Sequence, residues 1–172
     1  MPRFWPVWRG KPKSDVKTDP GGDRVNRMER AERVDRLGRG ADFVISKFDR
    51  DIIKEFGKAW QHCGNGMTDS ESVILIFRTD GGGYTARSMG TTNEHRSFTF
   101  RWHSGAVAIV HTHPNDSNPM PQEADRQVAD RFGVPIFTLT LSGMFAYDPY
   151  TKKVTRVHNG LDWLESSRWF RE

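Results

Sequence analysis

The chain has 172 residues, which is enough for one domain with a hydrophobic core and too few for two domains of ordinary size. Its hydrophobic content of 35% is low and its charged content of 28% is high, so part of the chain is expected to lie outside that core. The net charge is +4, and a single cysteine, Cys63, excludes an intrachain disulfide and a cysteine-rich zinc finger and fits a reducing compartment.

The positive charge is confined to the first 40 residues. This segment holds 11 Lys or Arg against 6 Asp or Glu, a net of +5, whereas residues 41 to 172 have a net of −1. Prolines and a Gly21-Gly22 pair predict an irregular arm over residues 1 to 24, followed by basic helical turns over residues 25 to 37. We expect a flexible, solvated arm. Contact with an acidic or protein partner is the alternative, and nucleic-acid binding is disfavoured because the remaining residues carry no net positive charge.

The sequence has no pattern of a secreted or membrane-inserted protein. Its first ten residues contain no apolar run of the length that a signal peptide needs, and nowhere do ~18 apolar residues follow one another. These features predict a cytoplasmic protein without a membrane partner, with delivery by a specialised secretion machine as the alternative.

Residues 41 to 172 have the pattern of one folded domain. Apolar residues recur at spacings of three and four from residue 41 to 61, which predicts an amphipathic helix that ends at Gly64-Asn65-Gly66. A second helix is predicted over residues 123 to 132 and a last one over residues 161 to 170. The fold class is therefore α/β (α+β), a mixed sheet flanked by helices. Its strands are predicted over residues 72 to 78, 84 to 88, 97 to 102, 106 to 111, 135 to 141, 144 to 147 and 154 to 157.

Two histidines and an aspartate form the most specific pattern in the sequence. His111 and His113 are one residue apart at a strand end, so their side chains point to the same face and their nitrogens can converge. Pro114 ends the strand, and Asp125 follows at the start of the next helix. Two histidines and one carboxylate around an open fourth position are the usual ligands of a catalytic zinc site. The sequence therefore predicts that these three residues bind Zn²⁺, with a polar strand end as the alternative.

The other histidines and two further acids fit this pattern less well. His103 follows a predicted strand and is a candidate for lining a substrate groove, while surface or packing roles are expected for the rest. The histidines without a partner at ligand spacing are His62, His95, His103 and His158, and the acids that compete with Asp125 are Asp116 and Asp130.

The residues around the predicted ligands resemble the motif of the JAMM metalloproteases, also called JAB or MPN-plus domains. That motif has a glutamate on an early strand, then His-x-His-Pro, and after a short loop Pro-Ser-x-x-Asp. Here residues 111 to 114 match the first block, and residues 121 to 125 match the second except that Gln122 replaces the serine. The eleven residues between His113 and Asp125 are one more than the family pattern has. The sequence His-Thr-His-Pro-Asn is also similar to the corresponding sequence in the JAB-like domains of bacterial toxin and effector proteins.

The resemblance implies a JAB/MPN-like domain over residues 41 to 172, similar to the cytidine-deaminase-like fold. It also implies a zinc-dependent peptidase or isopeptidase that hydrolyses an amide bond with a metal-activated water, so the expected partner is a protein or peptide substrate. In the family a glutamate takes the proton of that water, and a serine donates a hydrogen bond to the oxyanion. The first role falls to Glu71, just before the first strand, with Glu94 as the rival, and the second to the NH₂ group of Gln122.

Two other functions are open at this point. A binding module of the same fold with a weak or inactive site, such as a toxin or effector domain, follows if Gln122 does not replace the family serine. Nucleic-acid binding through the basic arm rests only on its charge and predicts an affinity that falls steeply with salt. Zinc nucleoside deaminases need a Pro-Cys-x-x-Cys block, so the single Cys63 excludes them.

Overall fold

The computed structural model describes residues 40–92 and 98–169. Apart from Gly40, the predicted arm over residues 1 to 40 lies outside the described residues, as do its helical turns. None of the helices in these two ranges has the length and hydropathy that a membrane crossing requires. The helices are α1 (Gly40–Ile45), α2 (Arg50–His62), α3 (Glu123–Phe132) and α4 (Ser166–Trp169), and the strands are β1 (Ser72–Arg78), β2 (Tyr84–Thr91), β3 (Ala106–Thr112), β4 (Ile136–Thr140), β5 (Gly143–Asp148) and β6 (Lys153–Asn159).

These strands form one six-stranded mixed sheet in the order β2-β1-β3-β4-β5-β6. The pair β3 and β4 is parallel, and the other four neighbouring pairs are antiparallel. Parallel neighbours need a crossover connection, and here α3 provides it. The predicted mixed sheet flanked by helices is therefore confirmed, and its crossover starts at the end of β3 where the two histidines lie.

Both faces of the sheet are covered, which explains the continuous apolar runs of its central strands. Side chains of β1 alternate between two hydrophobic clusters: Ile74 and Ile76 pack with α1, α2 and the C-terminal aromatic residues, whereas Val73 and Leu75 pack with α3. Val73 pairs with His111 of β3, so this histidine lies on the α3 face. The predicted ligands therefore share a face with the helix that carries the third of them.

The helix predicted over residues 41 to 61 is in fact two helices, α1 and α2. They are separated at Asp49, whose carboxylate accepts hydrogen bonds from the backbone N–H groups of Asp51 and Ile52, each at 3.0 Å, and so caps α2. Phe48 lies between the two helices and is buried. The spacing of apolar residues therefore continues across the break, and the sequence pattern does not show that the helix is interrupted. The helix predicted over residues 161 to 170 is likewise shorter, a 3₁₀ turn at Asp162–Leu164 followed by α4.

The strand predicted over residues 97 to 102 is wrong for the part that the structure describes. Residues 98 to 102 form no strand, although Phe98 and Phe100 are buried and Thr99 and Arg101 are exposed. The two phenylalanines pack in the hydrophobic cluster on the α3 face. The alternation of apolar and polar residues therefore predicts which side chains are buried. It does not show whether the backbone has a neighbouring strand with which to pair.

Candidate metal centre

The two histidines lie where β3 leaves the sheet. His111 belongs to β3, and His113 follows directly after it, with its backbone N–H donating to the carbonyl oxygen of Leu139 at 3.0 Å. This bond keeps the chain extended through His113, so both side chains stay on one face. Pro114 then turns the chain away into the loop that leads to α3.

Asp125 reaches the histidines from the first turn of α3. Its Oδ2 atom accepts the backbone N–H of Gln122 at 2.7 Å, a bond that satisfies one of the free donors at the helix start and fixes the carboxylate. The same carboxylate faces both rings, with Oδ1 3.3 Å from Nε2 of His111 and Oδ2 3.5 Å from Nε2 of His113. The helix cap therefore also aims the carboxylate at the histidines.

The three predicted ligands converge in a buried cluster. The Nε2 atoms of His111 and His113 are 2.8 Å apart, and one ligand atom from each of the three residues lies within 4.8 Å of the others. Exposure is 1% for His111, 5% for His113 and 2% for Asp125, so bulk water does not compete for these atoms. Ligand atoms that bind a tetrahedral zinc at 2.0–2.1 Å are roughly 3.3 Å apart. The distances from Asp125 to the two rings, 3.3 and 3.5 Å, agree with this, whereas the two Nε2 atoms, at 2.8 Å, would have to separate slightly. The group can hold a metal ion.

The hydrogen bond at Nδ1 of His113 shows which nitrogen of this ring faces the cluster. Nδ1 of His113 lies 2.8 Å from the carbonyl oxygen of Asn118, and because a carbonyl only accepts, Nδ1 carries the proton. In the neutral ring Nε2 then presents its electron pair to His111 and Asp125. The 2.8 Å between the two Nε2 atoms is then a hydrogen bond in which His111 donates, and a metal ion that binds both rings would take the place of that proton. The donor set therefore fits a bound metal.

The charges of the cluster are coupled. Burial on its own raises the pKa of Asp125, but the charges and hydrogen bonds of His111 and His113 hold the pKa of this carboxylate well below 3.8. Burial on its own lowers the pKa of His113, yet the hydrogen bond and charge of Asp125, then the charge of Glu71 and the Asn118 carbonyl, raise the pKa of this ring above 6.5. The negative charges thus favour a cation at the rings.

Metal binding is expected to weaken as the pH falls, starting above pH 6.5. A metal needs the unprotonated ring, and the raised pKa of His113 means that protons compete at a higher pH than for an ordinary histidine. Below that pKa the affinity should fall about tenfold per pH unit for each proton that is displaced. A zinc competition titration against a chromophoric chelator, from about pH 8 to about pH 5.5, measures this. A constant affinity over that range would contradict the assignment of His113 as a ligand.

Glu71, the predicted base, lies beside the cluster. It is 5% exposed and directly precedes β1, and its backbone carbonyl accepts the N–H of Thr92 at 2.9 Å. The antiparallel register pairs Val73 with His111, and its continuation by two residues would place Glu71 across from His113 on the same face. Its charge contributes to the raised pKa of His113, which agrees with this position. The rival Glu94 lies outside the described residues.

Gln122, the predicted oxyanion donor, directly precedes α3 and contacts Asp125 through its backbone N–H. Its NH₂ group donates to the carbonyl oxygen of Met120 at 2.8 Å, and its side chain is half-buried. The backbone of Gln122 thus serves the site, through its bond to Asp125, while its amide is engaged with the loop. Ser117, the hydroxyl residue of the same loop, donates to the carbonyl oxygen of Pro114 at 2.8 Å.

The competing residues lie away from the cluster. Among the described residues, one group of three or more His, Cys, Asp or Glu side chains has the spacing of a metal site, and it contains neither Asp116 nor Asp130. Asp130 instead forms an ion pair with Lys152 at 2.7 Å and accepts a hydrogen bond from Tyr147. His103 has its ring centroid 6.0 Å from that of Phe77.

Two contributors to the site were missed by sequence reasoning. Asn118 acts through its backbone carbonyl, which no side-chain pattern can signal. Thr138 donates its hydroxyl to the carbonyl oxygen of Pro119 at 2.6 Å, beside His111 in the parallel register of β3 and β4. Its only signal in the sequence is a polar residue within a strand that is otherwise expected to be buried.

The sequence matches no model of a known protein family and no curated protein. The site therefore has to be interpreted from its own residues: a buried His111, His113 and Asp125 cluster that can hold a metal ion.

Proposed function

We propose that this protein is a zinc-dependent peptidase or isopeptidase with a JAB/MPN-like domain, similar to the JAMM metalloproteases. The observation that carries the proposal is the buried cluster of His111, His113 and Asp125, together with the buried Glu71, whose charge contributes to the raised pKa of His113. A purely structural zinc site usually has four protein ligands, whereas three ligands and a neighbouring carboxylate are typical of a site that processes a substrate. The expected partner is a protein or peptide that offers an amide bond.

The metal would be held by Nε2 of both histidines and by the carboxylate of Asp125. Imidazole and carboxylate ligands together suit zinc better than magnesium, which prefers oxygen ligands alone. When bound, zinc supplies a Lewis acid that polarises an amide carbonyl and acidifies water. The remaining requirements of amide hydrolysis fall to residues of the chain itself.

Glu71 is the proposed general base, because it is buried and its charge acts on His113. Its carboxylate would accept a proton from the attacking water and return it to the nitrogen of the leaving amine, so that the glutamate ends the cycle as it began. The burial of Glu71 limits competing contacts with bulk water, and Asp125, 3.5 Å from Nε2 of His113, would hold the metal together with that ring. Gln122 would donate to the developing oxyanion once its NH₂ group leaves the Met120 carbonyl.

A binding module of the same fold with a weak or inactive site is the second candidate. The specific observation in its favour is the hydrogen bond of the Gln122 NH₂ group to the Met120 carbonyl, where the family has a serine hydroxyl. Loss of one oxyanion donor costs about 10²–10³ in rate in other enzymes. A protein that binds zinc and peptides without hydrolysing them would fit this candidate.

The proposal is tested by removing and restoring the metal. Purified protein is incubated with libraries of linear peptides and with lysine isopeptide substrates, and cleavage is read by mass spectrometry. We expect cleavage that a chelator abolishes, that one equivalent of Zn²⁺ restores and that Mg²⁺ does not, because the donor set contains two imidazole nitrogens.

The outcomes separate the two candidates. Cleavage that survives complete metal removal contradicts a metal-dependent hydrolase. Stoichiometric zinc without cleavage of any peptide or isopeptide contradicts the hydrolase and favours the binding module. If the parent protein is purified without bound metal and cannot take up zinc, both candidate functions, the hydrolase and the zinc-binding module, are contradicted.

A further inference from the structure

Three consecutive carbonyl groups in the loop before α3 each accept a hydrogen bond from a side chain. The donors are Nδ1 of His113 to Asn118 at 2.8 Å, Oγ1 of Thr138 to Pro119 at 2.6 Å, and Nε2 of Gln122 to Met120 at 2.8 Å. The first of these donors is a predicted metal ligand, and the second comes from the sheet. Hydrogen bonds therefore connect the loop both to the candidate metal site, through His113, and to the hydrophobic core, through Thr138.

Thr138 is the contact that joins this loop to the interior of the sheet. It lies in the middle of β4, all of whose residues are buried, and its own exposure is 0%. In the parallel register it is the partner of His111, so its hydroxyl lies on the same face as the cluster. A buried hydroxyl is costly unless it is hydrogen-bonded, and the Pro119 carbonyl provides that bond.

We propose that Thr138 is a positioning residue for His113. By anchoring the Pro119 carbonyl, its hydroxyl holds the adjacent Asn118 carbonyl against Nδ1 of His113, which fixes the ring with Nε2 towards the cluster. The inference rests on the proposed function in so far as Nε2 of His113 is taken to bind zinc. The hydrogen bond at Nδ1 of His113 can be measured in the metal-free protein, independently of zinc binding.

The physical reason lies in the two tautomers of a neutral histidine. A carbonyl at Nδ1 selects the tautomer whose electron pair is on Nε2, and partners of this kind usually change metal affinity by about 10–100-fold. Asn118 and Pro119 are neighbours in the chain, so a shift of one peptide unit moves the carbonyl that His113 needs. Within the loop, Asn118 Oδ1 accepts the Met120 N–H at 3.1 Å, and at its start the Asn115 N–H donates to the Gly66 carbonyl at 2.9 Å.

Thr138→Val tests the proposal, because valine keeps the shape and removes only the hydroxyl. Thr138→Ser restores a hydroxyl, and Thr140→Val is the matched control. Thr140 lies in the same strand and is 2% exposed, and its hydroxyl is engaged in the turn to β5, where it donates to the Gly143 carbonyl and accepts the N–H groups of Ser142 and Gly143. If the valine variant fails to fold, Thr138→Ala takes its place.

Two measurements are made on each variant. The first is the ring-nitrogen NMR signals of His113 in the metal-free protein, at a pH above the pKa of the ring, which report the tautomer. The second is zinc affinity by chelator competition. We expect Thr138→Val to populate both tautomers and to bind zinc about 10–100-fold more weakly, while Thr138→Ser and Thr140→Val stay close to the parent.

Each result decides something definite. An unchanged tautomer, or an unchanged zinc affinity, in Thr138→Val overturns the positioning role. An equal loss of zinc affinity in Thr140→Val also overturns it, since the effect would then be one of general stability. A parent that binds no zinc contradicts the proposed function, and the tautomer measurement alone then decides whether Thr138 positions His113.

Discussion

Replacement of Asp125 by alanine is expected to abolish stoichiometric zinc binding. The variant loses one of three ligands and the only carboxylate among them, which lies 3.3 Å from His111 and 3.5 Å from His113. Two neutral imidazoles that remain cannot neutralise the charge of the ion in a buried site. Zinc content after gel filtration, measured by mass spectrometry of the metal, should fall from one equivalent to a trace.

The same variant should lose the stabilisation that zinc gives the parent protein. Zinc at 100 times its dissociation constant raises the free energy of unfolding by about 2.7 kcal/mol, provided that the unfolded chain does not bind it. Thermal unfolding of the parent should therefore shift upward with zinc, and that of Asp125→Ala should not. Asp116→Ala is the matched control, because Asp116 is an exposed acid outside the cluster. A parent-like zinc content in Asp125→Ala would contradict the site.

The pH dependence of the metal-free proteins provides a further control. The folded-state pKa of Asp125 lies well below 3.8, so its ionised form stabilises the fold above pH 3.8, and this contribution is lost as the pH falls below that value. Metal-free Asp125→Ala should therefore be less stable than the parent at neutral pH. Asp125→Asn keeps an oxygen that can accept the Gln122 N–H, so the helix cap survives in a variant without the charge.

The metal cluster could be predicted because its signal is local. A strand end fixes the common face of His111 and His113, and Asp125 follows within one loop at a helix start, where the structure places it in the first turn of α3. Glu71 was predicted from its position just before β1, and its charge acts on His113 in the structure. These inferences needed only short stretches of chain and the alternation of strand side chains.

Other features depend on contacts that no pattern of residue types encodes. The bond between the Gln122 amide and the Met120 carbonyl, and that between Thr138 and Pro119, join side chains to backbone atoms whose positions follow from the path of the loop. The break between α1 and α2 at Asp49 was hidden for a different reason. Apolar spacing reports burial, and burial continues across the break through Phe48.

Replacement of Glu71 by glutamine is expected to leave zinc in place and to remove most of the hydrolysis. Glutamine has the same shape as glutamate, so the buried position is filled, but its amide cannot accept a proton from water. General-base catalysis contributes about 10²–10⁴ in rate, so the rate of amide cleavage should fall by that factor. Zinc content and thermal unfolding are measured on the same samples, so that loss of the metal is not mistaken for loss of the base.

The comparison with two other glutamates decides the assignment. Glu55→Gln is the matched control for the substitution itself, because Glu55 lies on α2, forms an ion pair with Lys58 and belongs to the helix that covers the opposite face of the sheet. It should retain parent activity. Glu94→Gln tests the rival base that the sequence leaves open. If Glu94→Gln abolishes cleavage and Glu71→Gln does not, the proton passes through Glu94. Glu71 then has only an electrostatic role, in which its charge raises the affinity of the cluster for a cation.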